Sequence, residues 1–343
     1  MKNRIIFLDY LRSLSIVLVF VSHIFKDQLL NVANGQYHLI FRVISKFIID
    51  NGGELGVIVF FLVSGYIITN SILHENTKTF LTKRFFRIYP VYITAILMET
   101  AYNYMQYDYS TPLNILIPRL MLLGDIFNTP VALYGVEWTL RCEISFYLLI
   151  AIFRLLKMIN HTHLLAMLYL IISITLFLLR PLPVSESFNN GSFSLFFPIL
   201  FTGSLIFLYE IKKIDFSLLI FVNAIIIILF AINTVKIRPD SLNSMQIFYG
   251  LIIFVITWFF RKNFINNKMI EWFSNLTYII YLFHFWTWHI IFEFTSKLFK
   301  SVKLSYLIST LMLLLICYVI RKAIEIPAIN FGKKLIKKYN STT

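Results

Sequence analysis

The chain has 343 residues, 58% of them apolar and 14% charged, with a mean hydropathy of +0.76 and a net charge of +14. Soluble domains carry nearer 25% charged residues, so a globular enzyme with one anchor is excluded and a polytopic membrane protein is indicated. The basic residues form no block on a soluble domain, which argues against nucleic acid as a partner and points to topology as their cause.

The start, Met1-Lys2-Asn3-Arg4 before an apolar run, has the outline of a signal peptide. Asp9 and Arg12 interrupt the run and no small-residue cleavage site follows, so it is read as a retained first helix. Apolar runs long enough to cross a bilayer fall at 5–25, 55–73, 86–105, 138–158, 163–180, 193–209, 216–235, 246–260, 272–292 and 304–320. The expected fold is therefore all-α, about ten transmembrane helices forming one integral-membrane domain over 1–343, with membrane lipids around it and no soluble domain. With both ends inside, nineteen Lys and Arg fall on inner segments and ten on outer ones; the positive-inside rule thus gives N-in, C-in. Residues 26–54 and 106–137 are expected as long outer loops, marked by Asn34-Gly35, Asp50-Asn51-Gly52-Gly53 and Thr129-Pro130. Cys142 and Cys317 lie in apolar runs and suggest neither a disulfide nor a metal site.

Ionisable groups inside a bilayer cost several kcal/mol and face protein or water rather than lipid. Arg12 and His23 lie eleven residues apart on the first helix, about 16 Å of rise and one face, which forms a polar track. In the second helix, Ser64-Gly65 is either a close-packing site or part of a channel lining. Arg84 and Arg87 share one face of the third helix, as positive-inside anchors or as a fork for phosphates. Trp138 opens the fourth helix, where Arg141 and Glu143 stand on different faces and each needs a partner. Tyr281 and His284 lie in the aromatic ninth helix, His284 being either a satisfied core group or a functional one. Counting residues from the helix ends places His23, Glu143 and His284 in the outer third of the bilayer, Arg12 in the inner third, and Arg84 and Arg87 at the inner surface.

Histidine beside a carboxylate suits removal of a proton from a hydroxyl. No serine nucleophile elbow, metal-ligand spacing or Gly-rich phosphate loop is evident. Inner arginines and an outer base fit a donor that is phosphorylated in the cytoplasm, such as acyl-CoA, and a hydroxyl acceptor outside.

Five segments together resemble membrane acyltransferase family 3, which includes O-antigen and other polysaccharide O-acetyltransferases. They are Leu8-Asp9-Tyr10-Leu11-Arg12 with His23, Gly56 to Ile68 with Phe60-Phe61 and Ser64-Gly65, Arg84-x-x-Arg87-Ile-Tyr-Pro, Trp138-Thr-Leu with Glu143 and Phe146-Tyr147, and Tyr278-x-x-Tyr281-Leu-x-His284. The similarity spans nearly the whole chain. It departs at Ile58, where the family commonly has Asp, at Tyr10 and Ser13 in place of glycines, and at the added charge of Arg141.

The resemblance implies transfer of an acyl group, usually acetyl, from cytoplasmic acetyl-CoA to a surface polysaccharide or lipid-linked sugar at the bacterial inner membrane. It implies His23 as catalytic base and Glu143 as its partner. Arg12, Arg84 and Arg87 are implied on the donor side, where Ser64 is also placed. Trp138, Arg141, Tyr281 and His284 are expected around the substrate or oxyanion, and no metal is expected. An acyl-histidine intermediate is open on the same residues. Some members carry an extra esterase-like C-terminal domain; ending at Thr343, this chain is expected to be the membrane domain alone. The rival reading is a proton-coupled transporter or flippase of a sugar-containing substrate, with Arg12 and His23 lining its path.

Overall fold

The computed structural model describes residues 4–340 except 125, 128, 185–188 and 239–244. The charged start at residues 1–3, used in the topology reading, lies outside the described residues. Among the described residues the structure is helical, with no strand. Among the described residues five helices are long and apolar enough to cross a membrane, and two shorter apolar ones accompany them.

The helices are α1 (Ile6–Ile24), α2 (Lys26–Asn34), α3 (Leu39–His74), α4 (Thr77–Tyr107), α5 (Leu113–Leu120), α6 (Glu137–Leu155), α7 (Thr162–Leu178), α8 (Ser192–Glu210), α9 (Phe216–Ile237), α10 (Gln246–Phe259), α11 (Lys268–Ser274), α12 (Thr277–Phe283), α13 (Trp286–Leu298), α14 (Val302–Ile320) and α15 (Ile326–Asn340). The chain forms two compact units, Met1–Glu75 with Cys142–Ser274, and Asn76–Arg141 with Asn275–Thr343.

In the first unit α3 is the central helix, packed by α1, α2, α8 and α10. Glycine makes this density attainable. A Cβ on Gly65 would lie 2.0 Å from the Leu200 carbonyl oxygen, and one on Gly203 would lie 2.1 Å from that of Leu62. These reciprocal contacts bring α3 and α8 together backbone to backbone, as small residues do between membrane helices. Gly65 is thus a packing residue.

Two expectations are corrected here. Residues 26–54 are not an open loop, since α2 and the first four turns of α3 occupy them. Asp50-Asn51-Gly52-Gly53 lies inside α3, because Gly52, Gly53 and Gly56 give α1 a groove to pack into. A Cβ on Gly56 would meet the Ser15 carbonyl oxygen at 2.5 Å, and one on Gly52 would meet Ser22 Cβ at 3.1 Å. Tertiary approach overrides the local turn preference of that glycine pair. Residues 106–137 likewise contain α5 and a 3₁₀ turn at Leu133–Gly135.

In the second unit α4 packs against α15, with Phe86 and Phe331 ring centroids 5.4 Å apart, and Tyr278 donates to the Ile88 carbonyl at 2.9 Å. α13 packs on α14 through Trp288, Phe292 and Tyr306, with Thr295 and Ser309 hydroxyls 2.8 Å apart. The expected single helix over 272–292 is three pieces, α11, α12 and α13, broken near residues 275 and 284. A π turn at Arg321–Glu325 joins α14 to α15.

Candidate functional site

In the first unit, α1 runs antiparallel to α3, pairing Ser22 and His23 with Gly52 and Gly53, and Ser15 and Val19 with Gly56. The His23 residue is exposed, and a Cβ built on Gly53 would stand 3.2 Å from its Nε2. Arg12, half-buried, is three turns back along the same helix, within about 20° of the same face. Between them Ser15 and Ser22 satisfy their hydroxyls on the Arg12 and Val19 carbonyls, at 2.8 and 3.0 Å. At its start α1 is anchored by Asp9, which is buried and accepts from Ser274 Oγ at 2.8 Å and from Arg4; Arg4 also reaches Glu271 at 2.8 Å.

Glu143 is buried on α6 and accepts from Ser64 Oγ at 3.3 Å and from the Tyr147 hydroxyl. Ser64 therefore faces a carboxylate while its neighbour Gly65 packs on α8. Gly53 and Ser64 are eleven residues apart on α3, so the Glu143 group lies about 16 Å along that helix from the His23 level. The expected common depth of the two is corrected by this register.

Deeper on α3, Glu210 of α8 accepts from Tyr66, Trp258 and Arg261. A cleft of about 550 Å³ opens beside it, lined by His163, Lys212, Lys213, Trp258 and Arg261 among others. None of the site residues expected from the sequence lines that cleft.

In the second unit, Glu137 is buried and accepts from Arg141 Nη1 at 3.2 Å and from the Tyr92 hydroxyl at 3.4 Å. Trp138 is half-buried beside it. Tyr281 braces the start of α6, its hydroxyl donating to the Val136 carbonyl at 3.2 Å and accepting from Thr139 at 2.9 Å. His284 is completely buried, with Nδ1 2.8 Å from the Tyr281 carbonyl. A carbonyl only accepts, so Nδ1 carries a proton. Arg84 lies over the Phe80 ring at 5.5 Å. Arg87 faces Glu325, which also meets Arg321 at 3.6 Å.

With this geometry in hand, comparison with known proteins is decisive. The sequence model of acyltransferase family 3, described as an acyltransferase domain, matches residues 5–322. The chain belongs to this family of membrane acyltransferases. One curated relative, acyltransferase MdmB of Streptomyces mycarofaciens, is 30% identical over 104 residues, which are 28% of this chain and 27% of that protein. The chain thus matches about a quarter of that relative's length. No solved structure matches significantly.

For this acyltransferase, sequence reading passed over the groups that hold the expected residues in place. Tyr147, quoted only within the fourth-helix motif, pairs with Glu143, and the three Gly residues, read as a turn or a motif, receive α1, while Glu137 on Arg141 and Glu325 on Arg87 had no reading at all. Tyr147 and Glu137 stood one turn from their partners and were legible as i, i+4 pairs. Glu325 lies too far along the chain from Arg87 to carry any such signal.

Proposed function

We propose that this acyltransferase moves an acyl group, acetyl in the first instance, from cytoplasmic acetyl-CoA to a hydroxyl of a surface polysaccharide or lipid-linked sugar. Its setting is the bacterial cytoplasmic membrane, crossed by about ten helices with both ends inside. The observation that carries the reading is an exposed histidine, His23, on the same face of α1 as Arg12 and seated against a glycine that leaves it room.

An imidazole nitrogen of His23 takes the proton of the acceptor hydroxyl. The alkoxide oxygen attacks the thioester carbonyl, the C–S bond breaks, and CoA leaves as the thiol after accepting the proton from the imidazolium. Atoms and charge balance without metal or redox partner. The 16 Å along α3 gives Glu143 its own position, where its carboxylate accepts from Ser64 and Tyr147. Arg12 in the first unit, and Arg84 and Arg87 in the second, keep the donor-side role that the resemblance implies, for which guanidinium has the geometry to clasp phosphate.

The test is acetyl transfer by the purified protein in lipid nanodiscs, with radiolabelled acetyl-CoA and an extract of envelope glycans and lipid-linked sugars as acceptors. Label in an alkali-labile ester on sugar is expected. Label that stays in acetyl-CoA under every acceptor fraction removes the reading and returns the transporter reading to the front.

A further inference from the structure

The two turns of α3 that receive His23 have a second polar face, and the proposed reaction does not use it. Glu54 follows Gly53 and accepts from Arg238 Nη1 at the end of α9. The pair is neither sealed nor fully exposed, with 21% of the Arg238 side chain and 32% of that of Glu54 accessible. Arg238 also lies over the Phe196 ring, 5.6 Å from its centroid.

Gln246, at the first turn of α10, is 3% exposed; its Nε2 reaches the Asp50 carbonyl at 3.4 Å and its amide also faces the Glu54 carboxylate. Its Oε1 is buried with no hydrogen-bond partner among the described residues. The same holds for Oδ1 of Asn51, 7% exposed, whose amide nitrogen is satisfied on the Phe47 carbonyl at 3.0 Å. A buried amide oxygen left without a donor is costly, and a fold avoids it unless a donor arrives from elsewhere. Beside them Phe47 and Tyr249 form a part-exposed aromatic pair with centroids 5.2 Å apart.

We infer that Glu54, Arg238, Gln246 and Asn51, with the Phe47–Tyr249 pair, form a binding site for the hydroxyls of a sugar ring, next to the turn of α3 that abuts His23. The chemistry is matched. A carboxylate accepts from sugar hydroxyls, a guanidinium donates to them, an aromatic face receives the apolar side of the ring, and the two unpaired amide oxygens become further acceptors once the ring displaces the side chains that cover them. Residues 47, 50, 51 and 54 recur at one helical face, and α10 presents Gln246 and Tyr249 at i, i+3 toward it. The inference rests on the proposed acyl transfer to a sugar and assigns the acceptor its place.

The test uses the full-length protein in nanodiscs and diazirine derivatives of methyl glucoside, methyl galactoside and methyl rhamnoside. Crosslinks are mapped by mass spectrometry, and acetyl transfer to the parent glycosides is measured in parallel. Crosslinks on the peptides holding Asn51–Glu54 or Gln246–Tyr249 are expected, and their loss in Glu54→Gln. For transfer, Glu54→Gln and Gln246→Leu are expected to raise the glycoside KM about ten-fold while leaving the acetyl-CoA KM within about two-fold. The charge swap Glu54→Arg with Arg238→Glu separates binding from architecture. It is expected to restore thermal stability without restoring glycoside affinity.

A swap that recovers both, crosslinks unchanged in Glu54→Gln, or no crosslink in this region overturns the inference. Crosslinking here without any acetyl transfer supports the sugar site and removes the transferase reading instead.

Discussion

Gly53 leaves 3.2 Å between the place its Cβ would occupy and Nε2 of His23, and 3.3 Å to the Ser22 hydroxyl. The neighbour that must give way is the side chain proposed to do the chemistry. Gly53→Ala is therefore expected to fold and reach the membrane in normal amount but to lose acyl transfer about ten-fold or more, since small displacements of a catalytic group are costly. Acetyl transfer normalised to protein in the membrane checks this. Full activity in Gly53→Ala contradicts the placement of His23 at the reacting atoms.

Gly65 and Gly203 differ in kind, because what they meet is backbone that has no rotamer to change. Gly65→Ala or Gly203→Ala forces α3 and α8 apart and is expected to destabilise by about 2–3 kcal/mol, the upper range for overpacking. The readout is the midpoint of thermal unfolding in detergent, with a fall expected for both variants. Because each glycine opposes the other's helix, the double variant is expected to fall by less than the sum.

Glu143 holds two hydroxyls, so each removal has a different signature. Tyr147→Phe and Ser64→Ala each delete one donor and are expected to cost about 1–2 kcal/mol. Glu143→Gln keeps the size of the group but replaces one acceptor oxygen with a donor, and is expected to lose more than either. A double-mutant cycle between Glu143→Gln and Tyr147→Phe, read by thermal stability and by acetyl transfer, is expected to show strong coupling in both.

His284, completely buried with Nδ1 on the Tyr281 carbonyl, carries the opposite split. His284→Gln keeps a side-chain donor for the Tyr281 carbonyl and is expected to retain activity, whereas His284→Leu strands that carbonyl and is expected to lower the unfolding midpoint. Neither is expected to change the acetyl-CoA KM. A kcat loss of about 100-fold in His284→Gln at normal stability indicates a chemical role.

Much of the fold was legible because lipid leaves few choices. Each of the ten apolar runs lies in helical chain, and 193–209 and 216–235 match α8 and α9 to within two residues. What was not legible follows from contacts between distant segments. Asp50-Asn51-Gly52-Gly53 has a turn's composition yet continues α3, because α1 arrives to fill the groove. The ninth run reads as one helix, since nothing in its aromatic pattern announces the breaks at α11 and α12. At the site, Arg12 and His23 share a face as their spacing requires. The level of Glu143 along α3 was hidden, because only its contact with Ser64 sets it. Glu54 and Arg238 lie 184 residues apart and had no local mark.

The most direct measurement is single-turnover acetyl transfer from acetyl-CoA by His23→Ala and His23→Gln in nanodiscs, with protein level and unfolding midpoint recorded for each. The account predicts that both variants keep the wild-type midpoint and acetyl-CoA affinity, and that transfer falls by about 100-fold or more, the scale of losing a general base. Transfer at the wild-type rate in both folded variants contradicts it.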